Sequence, residues 1–126
     1  WPDTDFPMFR LADIILIQAE AELRLNDNNA INTFNKVYAH PRTGLTKKSS
    51  ITLQDILDER GRELYWEAHR RTDLIRFGKF STGYNWAWKG GVKDGKDIDK
   101  KHELFPLSTR HLTGNPDLEQ TELYRN

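Results

Sequence analysis

The chain has 126 residues, with 19 basic and 19 acidic side chains and no formal net charge. Nucleic-acid binding draws on a cationic surplus that neutralises phosphates, so this balance argues against a nucleic-acid partner. The absence of cysteine excludes disulfides, thiolate zinc sites and cysteine nucleophiles, and leaves packing to hold the fold.

Hydrophobic residues at 37% and charged residues at 30% suit a globular domain with a modest core. The chain opens on Trp1 without a charged and apolar leader, and its longest apolar run is Ile14 to Ile17. That run is far short of the ~20 residues a membrane-spanning helix needs. The expectation is a processed product or a piece of a larger polypeptide.

The pattern predicts an all-α chain. In the first helix, over residues 9–25, Ala12, Ile15, Leu16, Ala19 and Leu23 form one apolar stripe, and Ile14, Ile17, Ala21 and Leu25 form the adjoining one. Two stripes predict burial on two sides. The turn at Asn26–Asn29 offers capping side chains to a second helix over 29–40, which places Ala30, Ile31, Phe34, Val37 and Tyr38 at helical spacing before Pro41 stops it. A turn this short folds the two helices back on each other. Small Ala12 and Ala19 admit a close approach, as in tetratricopeptide-like hairpins.

Thr52 and Asp55 have the form of a capping box that opens a third helix over 52–69. Gly61 falls on its apolar stripe, which points to a close contact there. A fourth helix over 70–79 ends at Gly78. The tail over 80–126 reads as loop-rich and irregular, punctuated by Gly83, Gly90, Gly91 and Gly95, with a short turn of helix after Ser108.

Chemistry-bearing residues are sparse. Glu63 and Glu67 sit one turn apart on a single helix, so they do not flank a sugar ring from two sides as glycoside hydrolysis requires. Arg60, Arg62, Arg70 and Arg71 stand close enough in sequence to neutralise them. His40, His69, His102 and His111 show no metal-ligand spacing. A hydrolase built on Glu67 with His69 or His102 therefore has little support, and no catalytic residue, metal or cofactor is predicted. The candidate ligand-contact residues are Tyr84, Trp86 and Trp88, whose flat faces can stack on sugars. Alternation in an extended segment puts Trp86 and Trp88 on the same side. The competing role for all three rings is to anchor the glycine-rich loop.

Several motifs in fixed order carry a resemblance to a known family. They are Arg10-Leu-Ala-Asp-Ile-Ile-Leu-Ile-Gln-Ala-Glu-Ala21, Ile31 through Val37, Leu53-Gln-Asp-Ile-Leu-Asp-Glu-Arg-Gly-Arg-Glu-Leu64 and Trp66-Glu-Ala-His-Arg-Arg-Thr-Asp-Leu-Ile-Arg-Phe-Gly-Lys79. Trp88-Lys-Gly-Gly91, Leu104-Phe-Pro-Leu107 and Asn115-Pro-Asp-Leu118 follow. Over nearly its whole length the chain resembles the C-terminal part of the SusD/RagB family of outer-membrane nutrient-binding lipoproteins.

The resemblance implies a non-catalytic protein on the cell-surface face of the outer membrane, built on tetratricopeptide-like hairpins and working with a SusC-like TonB-dependent transporter. Its ligand would be an oligosaccharide, or a peptide in some members. Most of the ligand contacts and the lipid-bearing cysteine would lie in an upstream part of the same protein. It also implies that Glu63, Arg70 and Asp73 form buried ion pairs joining the third and fourth helices, and that Trp88 is more an anchor than a ligand contact. An independent tetratricopeptide-like scaffold for protein partners is the alternative, although one hairpin and one further helix pair fall short of the three units such arrays need.

Overall fold

The computed structural model describes residues 8–125 together with Asp5. Among them the chain is all-α: helices α1 (Leu11–Arg24), α2 (Ala30–Tyr38), α3 (Leu53–Glu63), α4 (Arg70–Arg76) and α5 (Thr109–Gly114), joined by loops and single 3-10 turns, with no strand. Two compact units divide it, Trp1–Asp73 and Leu74–Asn126, with α4 spanning the division. No helix among the described residues is long and apolar enough to cross a membrane.

The first unit is organised around α1, which packs against both α2 and α3. The five residues between α1 and α2 leave α2 no course but back along α1. Leu16 and Ala19 of α1, Phe34 of α2 and Ile56 and Leu57 of α3 are completely excluded from water. Ala19 and Ala30 are the small residues of this core. Phe34 also stacks on Tyr38, with ring centroids 5.3 Å apart. Beyond α2 the chain is pinned by Asn35, whose side chain donates to the Lys48 carbonyl and accepts from the Lys48 amide, each at 2.9 Å. The α3 capping box is present: the Thr52 hydroxyl accepts from the Asp55 amide, and the Asp55 carboxylate accepts from the Thr52 amide at 2.7 Å.

Two features differ from the sequence expectation. Only one stripe of α1 is covered; Leu11, Ile14, Ile17 and Leu25 remain exposed. The third helix stops at Glu63 instead of running to residue 69, because Trp66 and Ala68 adopt left-handed φ values of 68° and 62°. A tertiary contact ends it: Arg10 Nη2 donates to the Glu63 carbonyl at 2.7 Å, so that oxygen is satisfied without another helical turn. The other helices are each shorter than their patterns by one to a few residues at their ends, as fraying termini commonly are.

Candidate functional site

In the second unit, the residues singled out for ligand contact lie in a loop built around a buried lysine. Lys89 has a side chain with no exposure to water; its Nζ donates to the Tyr84 carbonyl at 2.7 Å and lies 3.7 Å from the Asp97 carboxylate. The same ammonium stands 4.9 Å from the centroid of the Trp86 ring. Burying a cation is costly unless it is paired. Carbonyl, carboxylate and indole together compensate this one.

Glycines make the loop's tight path possible at two places. Gly95 has φ of 75°, and a Cβ there would lie 2.4 Å from the Trp86 carbonyl oxygen. Gly90 has φ of 64°, and a Cβ would meet Lys96 Cγ at 2.7 Å. Backbone bonds from Lys96 N to the Lys89 carbonyl and from Ile98 N to the Ser81 carbonyl close the loop at 3.1 and 3.0 Å.

This arrangement separates the three aromatic residues. Trp86 is engaged by Lys89, by Phe80 at 5.7 Å and by Tyr84 at 6.3 Å between centroids. Trp88 is 68% exposed. Its φ of 68° breaks the segment into a turn, so the extended alternation expected to put Trp86 and Trp88 on one side does not exist. The indole with a free face is therefore Trp88, whereas Tyr84 is half-buried beside Trp86.

In the first unit, Glu63 takes other partners than the Arg70 implied for it. Glu63 pairs with Arg10 at 3.1 Å and with Arg42 at 2.5 Å, not with Arg70. Arg10 also grips Glu67 through a two-pronged contact, Nε and Nη2 each 2.9 Å from a carboxylate oxygen. The hydrogen bond that Arg10 donates to Glu67, followed by Coulomb attraction, raises the Arg10 pKa above its ordinary value against the opposing effect of burial. Both carboxylates considered for acid–base work are thus held on one guanidinium.

Asp73 does join α3 and α4, but through Arg60, whose Nε donates to it at 2.9 Å; Arg60 Nη1 also lies 2.8 Å from Asp13 on α1. Arg62 is paired with Glu59 instead of Glu63 or Glu67. Arg70 donates to the Leu57 carbonyl at 2.9 Å, and its guanidinium occupies the space that a Cβ at Gly61 would need, 2.9 Å away. The close contact that Gly61 foretold is therefore with an arginine head.

The sequence reading missed Tyr65 and Trp66 by enclosing them in a helix. They stand on the turn after α3, 73% and 84% exposed, with ring centroids 6.1 Å apart. Among the described residues no three His, Asp or Glu side chains converge as a metal site. His40 accepts from the Arg42 amide, and His111 shares a hydrogen bond with Ser108 at 2.7 Å.

Comparison with known proteins adds the family context. The profile of the SusD family matches residues 2–124. The starch-binding protein SusD of Bacteroides thetaiotaomicron is 38% identical over 99% of this chain and 22% of its own length. A SusD-like protein of Bacteroides ovatus is 34% identical over 93% of the chain and 22% of its own length. A SusD-like protein of Formosa agariphila is 42% identical over 94% of the chain and 24% of its own length. The chain thus spans about a quarter of the length of the curated relatives it matches.

Proposed function

The chain belongs to the SusD family, and from that membership we propose that it is the C-terminal portion of a non-catalytic outer-membrane protein that captures oligosaccharides. The observation carrying this reading is the match over residues 2–124 together with 38% identity to a protein named for starch binding. On this reading the protein sits at the cell surface, its lipid anchor lies in an upstream part, and a SusC-like TonB-dependent transporter takes over the glycan. Glu63 and Glu67 serve as partners of Arg10, which supports binding over hydrolysis. Within this portion Trp88 offers a free indole face for a sugar. Trp86 serves the loop.

Calorimetric titration with neutral starch-type oligosaccharides tests the proposal, using this chain and a longer polypeptide extended upstream, with reducing ends assayed alongside. Binding by the extended form without release of reducing ends is expected, weakened in Trp88→Ala. Binding of no neutral glycan by either form, or steady release of reducing ends, would reject it.

A further inference from the structure

Lys89 is committed at every polar group it carries. Its amide donates to the Trp86 carbonyl at 3.1 Å, its carbonyl accepts from the Lys96 amide at 3.1 Å, and its ammonium is taken up by the Tyr84 carbonyl, the Asp97 carboxylate and the Trp86 ring. The bond to the Trp86 carbonyl closes a four-residue turn in which Trp88 holds the third place, with φ of 68° and ψ of 5°. Glycine or asparagine normally stands at such a place, and a bulky side chain there strains the backbone. With 68% of its surface exposed, Trp88 recovers little of that strain by packing. A rigidly held lysine next to a strained, outward ring has the form of a built support, and strain of this kind gathers at binding sites.

We propose that Lys89 is the positioning residue of the Trp88 sugar contact. Its side chain has no exposure to water, so it reaches no ligand itself and acts through its neighbour. By clamping the turn from inside, it keeps the Trp88 indole outward before a glycan arrives, and binding then spends nothing on ordering the loop. The inference rests on the reading of Trp88 as a contact for neutral glycans, and adds to it the residue that sets the ring in place.

Titration of the upstream-extended polypeptide with starch-type oligosaccharides tests it as a double-mutant cycle. Lys89→Met keeps the aliphatic stem without the ammonium. It should weaken binding several-fold, close to the loss in Trp88→Ala, and add nothing once Trp88 is already alanine. A second readout follows the ring itself: 5-fluorotryptophan is incorporated, and the Trp88 fluorine resonance is assigned by its absence in Trp88→Phe. That resonance should shift or broaden in Lys89→Met, while the resonance of Trp66 in the first unit holds its place. Asp97→Asn, at a side chain 57% exposed, loosens the same clamp from outside and should also move the Trp88 resonance, which keeps the test open where Lys89→Met does not fold. A Trp88 resonance unmoved by these substitutions would overturn the proposal, as would a loss in Lys89→Met that persists undiminished in the Trp88→Ala background. Should the parent bind no glycan, or Trp88→Ala bind as well as the parent, the sugar reading fails; the resonance then decides alone whether Lys89 sets the ring.

Discussion

Arg60 and Asp73 meet at 2.9 Å, and each side chain is only 3% exposed to water. The same guanidinium reaches Asp13 at 2.8 Å, so one residue of α3 ties α1 and α4 to it. Removing the arginine strands two carboxylates in a space with little access to solvent. Arg60→Ala should therefore cost about 3 to 5 kcal/mol, read as a drop in the urea midpoint. A loss below about 1 kcal/mol, the worth of an exposed pair, would show that the three groups are not coupled.

Glu63 should matter less than Arg60, although the family motif draws attention to it first. When Glu63 is truncated, Arg10 keeps both oxygens of Glu67 and still has the Glu63 carbonyl. Glu63→Ala is expected to cost about 1 to 2 kcal/mol, and Arg10→Ala about 2 to 3, because the latter releases two carboxylates and a carbonyl together. Chemical denaturation of both variants checks the order. A larger loss for Glu63→Ala than for Arg10→Ala would place the weight of the cluster on Arg42 instead.

These two clusters also show how far the sequence could be read. The apolar period located α1 and α2, and the Thr52 and Asp55 pairing located the start of α3, because those signals act within a few residues. The end of α3 was hidden. Trp66 and Ala68 carry no turn signature, and Arg10, whose contacts with Glu63 and Glu67 accompany that end, is more than fifty residues away. In the loop, the alternation of Trp86 and Trp88 presumed extended backbone. Lys89 entering beneath Trp86 and the left-handed φ at Trp88 depend on Gly90 and Gly95 closing the loop, which no local pattern announces. The family resemblance rested on motif order, and needed none of this geometry.

The turn after α3 holds strain that glycine would relieve. Ala68 has φ of 62°, a conformation costing a residue with a Cβ roughly 1 to 2 kcal/mol. Ala68→Gly removes that cost while adding backbone freedom to the unfolded chain, for a net gain of about 0.5 to 1 kcal/mol. The melting temperature should rise. A fall would mean that the Ala68 methyl makes contacts worth more than the strain.

The acid limb of stability should carry the mark of Asp55. Its carboxyl is held down to about 2, first by the hydrogen bond from Lys48 and then by Thr52, against the opposing effect of burial. A folded-state value below that of the unfolded chain, near 3.9, stabilises the fold above about pH 4 to 5; the contribution is lost as the pH falls toward 2. With Asp55 still partly open to solvent, that contribution is discounted to about 1 to 2 kcal/mol. The same pair raises the Lys48 pKa, chiefly through the hydrogen bond that Lys48 donates to Asp55. That contribution is present below the ordinary lysine value and fades as the pH rises past it. Asp55→Asn keeps a carbonyl oxygen that can accept from the Thr52 amide but has no charge to titrate, so its urea midpoint should fall less steeply than the parent's between pH 4 and 2. Parallel curves for the two proteins over that interval would remove Asp55 from the acid transition.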